Sequence, residues 1–159
     1  MRPKARLLRD PVQLLAFGFG AGLAPRAPGT AGSALALLPA WAMLAWPLPW
    51  RAAVVAAAFA VGVWLCGASA KRLGVHDHPG IVWDEIVGLC AAALAVDSHP
   101  AWLLLAFVLF RFFDILKPWP IRDADHSLGG GLGIMLDDLL AAAYAAACLI
   151  TIRVLLPAT

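Results

Sequence analysis

The segment "GIMLDDLLAAAYAAA", Gly133 to Ala147, sets two adjacent carboxylates, Asp137 and Asp138, at the head of an otherwise apolar helical stretch. A second pair, Asp84 and Glu85, opens another such stretch in "IVWDEIVG". Acids at a helix N-terminus each gain about 0.3 to 1 kcal/mol from the macrodipole, so capping is the plain account of all four. One acid per helix would serve that purpose. Four carboxylates converging in a partly dehydrated place are unfavourable unless cations neutralise them, and hard oxygen ligands of this kind suit magnesium. The cluster therefore favours a metal site over mere capping.

A third motif is cationic. In "FRFFDILKPWPIR", Arg111, Asp114 and Lys117 recur every three residues, which on one helix gives a shared ionic arc before Pro118 halts the helix. An i,i+3 salt-bridge ladder explains that arc by itself. Beside a carboxylate cluster, and followed by Arg122 and Asp123, it also has the make-up of a phosphate-reading face, because guanidinium groups hold phosphate oxygens in a bidentate fork. A fourth motif, "APRAPGTAGS", places Gly29 and Gly32 around Thr30 and Ser33 just before a helix. Small residues let backbone N–H groups approach an anion at a helix N-terminus. A plain loop with Ser33 as N-cap accounts for it equally well. Gly129, Gly130, Gly131 and Gly133 read first as a flexible connector and second as a phosphate cradle.

Two other patterns carry less. Asp123-Ala124-Asp125-His126-Ser127 imitates an aspartyl-phosphate motif but follows "KPWPIR", which is no buried strand. His76-Asp77-His78 reads as an exposed polar loop rather than a nitrogen-ligated metal site.

The elements that must position these residues are those of a membrane. Of the 159 residues 62% are hydrophobic and 14% charged, and the mean hydropathy is +0.83, which together indicate one integral membrane domain over residues 1–159. A net charge of +2 gives no support to nucleic-acid binding. Cys66, Cys90 and Cys148 lie unpaired in apolar runs and read as buried thiols. The basic N-terminus before Val12 to Ala24 resembles a signal peptide only in part, since Gly18, Gly20 and Gly22 interrupt the apolar run, and it is expected to be retained.

Six helical segments are expected, about 11–24, 33–49, 51–73, 81–97, 100–117 and 135–156. Ala52 to Ala70 supplies nineteen uncharged residues, close to the roughly 20 that cross a bilayer core. The segment ends at Lys71-Arg72, and taking that end as cytoplasmic puts ten of the twelve basic residues inside, with Arg51 and Arg153 outside. Trp46, Trp50 and Trp102 would then form an outer aromatic belt. Eight of the ten acids map to the inner side. The segments at 81–97 and 100–117 reach across only by including their charged ends, which would face protein rather than lipid. The expected fold is all-α, a polytopic membrane bundle of about six helices with a re-entrant or interfacial first helix.

Taken together, "GLAPRAPGTAGS", "IVWDEIVG", "FRFFDILKPWPIR" and "GGGLGIMLDDLLAAAYA" closely resemble the phosphatidylglycerophosphatase A family in order and spacing from Gly22 to Ala145. The resemblance implies a magnesium-dependent, multi-pass enzyme of the bacterial inner membrane with its site on the cytoplasmic face. Its substrate would be phosphatidylglycerophosphate, converted to phosphatidylglycerol and inorganic phosphate. Carried onto matching positions, Asp84, Glu85, Asp137 and Asp138 are the implied metal-binding and catalytic acids. Thr30, Arg111, Asp114, Lys117, Arg122 and Asp123 surround the phosphate, with Asp114 also a catalytic candidate and Ser33 a substrate-binding one. Ala142 stands where the family often has Gly, a matter of helix packing. Two other classes compete. A phosphatidyltransferase would carry a D-G-x-x-A-R signature, which is missing, and a small transporter or channel would line a path between faces with its charges.

Overall fold

The computed structural model describes residues 5–75, 78–96, 99–119, 121 and 129–155, with Ala5 as backbone alone. Among them there is no strand, and the chain is all-helical. Asp10 starts the first helix, α1 (Pro11–Ala16), by accepting the Val12 N–H on Oδ1 at 2.9 Å, and Pro11 supplies a preset φ at its first position. The helix expected over 11–24 stops after six residues. Gly18, Phe19 and Gly20 all take positive φ (53°, 55° and 109°), and a 3-10 turn over Gly18–Leu23 follows. That turn is a brace. A Cβ on Gly22 would lie 2.0 Å from the Gly80 carbonyl oxygen, so the two backbones touch, and the Val82 N–H donates to the Ala16 carbonyl at 2.8 Å. The chain leading into the Asp84-Glu85 pair is thereby fixed.

The second helix, α2 (Pro28–Met43), begins five residues earlier than expected, with Pro28 in its first turn and Ala27 left-handed before it. The third, α3 (Leu48–Leu73), ends with Lys71 and Arg72 in its last turn and Gly74 left-handed at φ 71° as its stop. The fourth, α4 (Trp83–Ala92), passes into a single 3-10 turn, Ala93–Ala95, and stops at extended Val96. Helix and turn together run about 20 Å, shorter than the about 30 Å of a bilayer core and than the helix expected over 81–97. Helix α4 is the inner element, packed against α2, α3 and the two helices that follow.

The fifth helix, α5 (Pro100–Leu116), starts at His99, whose Nδ1 accepts the Ala101 N–H at 3.2 Å. The sixth, α6 (Gly130–Leu155), takes in Gly130, Gly131 and Gly133 of the run that sequence assigned to a connector. Each glycine costs a helix up to about 1 kcal/mol, but here Gly131 lies against α3 so closely that a Cβ would sit 1.8 Å from the Val63 carbonyl oxygen. Close packing of small residues offsets the poor propensity. Gly62 does the same for Met135, whose Sδ would be 2.6 Å from an added Cβ. Among the described residues α3 and α6 are long and apolar enough to cross a membrane, by length and composition.

Candidate metal and phosphate site

Five carboxylates and two cations meet around the first turn of α4. Asp84 and Glu85 stand in that turn, behind a Val82 cap that makes no side-chain hydrogen bond. Asp137 and Asp138 come from α6, where they are the eighth and ninth residues rather than the first turn. The capping account therefore fails for this pair, because N–H groups so far inside a helix already have intrahelical partners. The sequence misplaced them by reading Gly129 to Gly133 as loop. Gly88 lets the two helices close on each other, since a Cβ there would lie 3.2 Å from the Asp138 Cβ and 2.6 Å from the Phe110 ring. An isolated glycine inside a helical pattern was the available signal for this contact.

Two trios of these acids can each bring one oxygen per residue within 4.8 Å of the others: Asp84, Glu85 and Asp138, and Asp114, Asp137 and Asp138. Asp84 and Asp138 are 8% and 3% exposed. Asp84 Oδ1, Glu85 Oε2 and Asp138 Oδ2 are buried with no hydrogen-bond partner among the described residues. A buried carboxylate left in that state is strongly unfavourable unless something neutralises it. An all-oxygen set of this kind fits a hard divalent cation such as magnesium.

The cations come from α5 and its end. Arg111 pairs closely with Asp114 and reaches Glu85 Oε1 at 3.9 Å. Lys117 was expected on the same helical arc, but α5 ends at Leu116 and Lys117 turns left-handed at φ 44°. Pro118 disfavours continued helix at that residue, and a non-glycine residue pays strain for the left-handed conformation. The bend sends its Nζ across to Asp137 Oδ2 at 2.8 Å. The ladder thus splits, Arg111 staying with Asp114 and Lys117 crossing to α6.

The glycine motif joins the site in a way the sequence did not show. A Cβ on Gly29 would lie 2.1 Å from Glu85 Oε1 and 3.2 Å from Arg111 Nη1, so this glycine makes room for both side chains. Ser33 is not a cap: it lies inside α2, buried, and donates to the Gly29 carbonyl at 2.9 Å. Thr30 is half-buried in the first turn of α2. Arg122 and Asp123, with Asp77, Asp97, Asp125, His76, His126 and Ser127, lie outside the described residues.

An all-helical chain whose apolar helices enclose a carboxylate cluster faced by Arg and Lys is the class these observations define. The chain belongs to the phosphatidylglycerophosphatase A family, whose model matches residues 14–153. The phosphatidylglycerophosphatase A of Escherichia coli (strain K12) is 45% identical over 150 residues, 92% of this chain and 86% of the relative. That of Haemophilus influenzae (strain ATCC 51907 / DSM 11121 / KW20 / Rd) is 48% identical over 141 residues, 87% of this chain and 86% of the relative. A Bacteroides thetaiotaomicron relative, provisionally named a phosphatidylinositol-3-phosphatase, is 39% identical over 140 residues, 82% of this chain and 86% of its own length. No solved structure matches the chain.

Proposed function

We propose that the chain is a magnesium-dependent phosphatidylglycerophosphate phosphatase that hydrolyses the terminal phosphomonoester to phosphatidylglycerol and inorganic phosphate. The observation that carries this reading is the set of unpartnered, buried oxygens of Asp84, Glu85 and Asp138 beside Arg111, in a chain of this family. A divalent cation bound there supplies Lewis acidity and counter-charge to a phosphate. Arg111 offers the fork that holds equatorial phosphate oxygens as charge spreads over them in the transition state. Lys117 adds a point charge on the α6 side. A carboxylate of the cluster takes the proton from the attacking water. Water is the preferred nucleophile because no residue stands in a complete activated-nucleophile arrangement among the described residues.

The membrane reading supports the same substrate. The apolar residues Trp41, Trp64, Leu104, Val108, Ile150 and Val154 are all exposed, which suits contact with acyl chains rather than water. Lys71 and Arg72 close α3, and by charge asymmetry that end faces the cytoplasm of a multi-pass inner-membrane protein. In this topology α1, at six residues and about 9 Å, is far too short to span and lies at the interface or re-enters it.

The test is phosphate release from phosphatidylglycerophosphate by purified protein in detergent, with and without Mg²⁺, beside phosphatidic acid and a phosphoinositide monophosphate. Magnesium-dependent release that is fastest from phosphatidylglycerophosphate is expected. Faster release from the phosphoinositide would move the substrate toward the activity in the Bacteroides relative's name, and no release from any lipid would remove the phosphatase reading.

A further inference from the structure

The two acid trios share Asp138 but are not alike. In the first, Asp84 Oδ1, Glu85 Oε2 and Asp138 Oδ2 are all buried and without a hydrogen-bond partner among the described residues. In the second, two of the three acids are already engaged with side-chain cations: Asp114 with Arg111, and Asp137 with Lys117 at 2.8 Å. A cation entering the second trio would meet two acids whose charge is already answered by a guanidinium and an ammonium, although Lys117 takes only the Oδ2 of Asp137. One entering the first displaces neither of these ion pairs, although Arg111 stands 3.9 Å from Glu85.

We propose that the cluster is two unlike half-sites on either side of Asp138: a divalent-cation seat made by Asp84, Glu85 and Asp138, and a phosphate seat made by Arg111 and Lys117, with Asp114 and Asp137 holding those two cations in place. Asp137 is then a positioning residue and not a metal ligand, which revises the role its sequence motif implied. This division rests on the phosphatase reading above for the identity of the anion. The backbone around Lys117 agrees with it. Holding a lysine at φ 44° costs strain that persists only where the surroundings fix the residue, and the Asp137 contact supplies that fixing. A carboxylate beside each cation also sets its direction, so that it can pass from the carboxylate to phosphate oxygens of similar geometry.

The experiment separates the two seats with probes that need no turnover. Mn²⁺ binding is measured by calorimetry on purified protein in detergent, and inorganic phosphate is measured as a competitive product inhibitor. Asp84→Asn and Asp138→Asn should weaken Mn²⁺ binding by about tenfold or more, in line with the loss of a ligand. Asp137→Asn should leave Mn²⁺ affinity within about twofold while weakening phosphate inhibition and raising KM. Lys117→Ala should weaken phosphate inhibition at least as much as Asp137→Asn, and the double variant should be no worse than Lys117→Ala alone, because Asp137 acts on phosphate through Lys117. Thermal unfolding establishes that each variant is folded, and Asp137→Glu, which keeps the charge, should restore part of the phosphate affinity if Asn is poorly folded. The proposal is overturned if Asp137→Asn weakens Mn²⁺ binding as much as Asp84→Asn does, or if two Mn²⁺ bind and Asp137→Asn abolishes one. A parental protein that binds Mn²⁺ at the first trio yet releases no phosphate from lipid would instead remove the phosphatase reading and leave the cation seat standing.

Discussion

The two ends of α4 are both charged, and in opposite senses. At its N-terminal end lie Asp84 and Glu85, joined by Asp114, Asp137 and Asp138. At the other end Arg51, itself buried, donates to the carbonyls of Ala93 and, at 3.3 Å, Val96, while Arg153 donates to that of Ala95 at 3.3 Å. Each sign matches the macrodipole it faces. The difference is in satisfaction. The arginines meet carbonyls that the end of a helix leaves open. The acidic end exceeds what a helix start can use, with five carboxylates against Arg111 and Lys117 and with buried oxygens left over. One end of α4 is built for stability and the other holds charge in reserve for something that must arrive. Natural sites commonly sacrifice stability in this way.

The sharpest test of that contrast makes activity and stability move in opposite directions. Asp84→Asn and Asp138→Asn should each cut turnover by orders of magnitude, since cation binding and phosphate counter-charge are lost together. Without metal the same variants should unfold at or above the parental temperature, because a neutral amide replaces an unpaired buried charge. Phosphate release and detergent thermal unfolding, both with and without Mg²⁺, check the two halves. Variants that are less stable without metal yet retain parental turnover would make the acidic end as structural as the other.

Gly29→Ala probes the same end more gently. The added Cβ must push away Glu85 Oε1, the tip of a flexible side chain, from 2.1 Å. The fold should tolerate this, with an unfolding temperature close to parental, because Ala suits a helix better than Gly. The site should not, and a loss of about 10- to 100-fold in kcat/KM is expected from misplacing one catalytic group. Parental kinetics would mean that Glu85 has no fixed position to lose.

How much of this was legible follows from the same particulars. The motif residues that the structure describes were recognisable by type, and Asp84, Glu85, Asp114, Asp137, Asp138, Arg111 and Lys117 do come together. α3 was legible because an uncharged run between Pro and a basic end leaves little choice. What failed was glycine. At Gly18 and Gly20 glycines opened positive φ and cut the expected first helix short, whereas Gly131 sits within a helix pressed against α3. Local propensity treats both runs as punctuation, and only the tertiary partner distinguishes them. Gly29 and Gly88 stood out as glycines, but their partners did not, because the space they leave is filled by residues distant in sequence.

Arg51→Ala tests the satisfied end. It should strand carbonyls at Ala93 and Val96 and cost about 1 to 3 kcal/mol, the usual penalty for buried polar groups left without partners. Turnover per folded molecule should not change, since the α4 start with its acids lies at the other end of the helix. An unfolding temperature equal to parental, or a changed KM for lipid phosphate, would break the division between the two ends.

The smallest effect is expected at Asp10, which lies outside both ends and serves as a control. Desolvation pushes its carboxyl up, but hydrogen bonds from Arg72 and the Val12 N–H, with the Arg72 charge, more than reverse this and hold it below the ordinary value of 3.8. A group depressed in the folded state contributes stability that is present above its unfolded value and is lost as pH falls through its lower folded value. The pair is partly exposed at the protein surface, so salt should screen it. Asp10→Asn keeps a good N-cap for α1 and removes only the charge. At neutral pH and high salt the variant should unfold at nearly the parental temperature. At low salt it should fall slightly below, and the gap should close as pH drops beneath 3.8. Turnover should stay parental throughout. A gap that survives both acid and salt would show that Asp10 acts through more than its charge, and that the turn bracing Gly80 and Val82 depends on it.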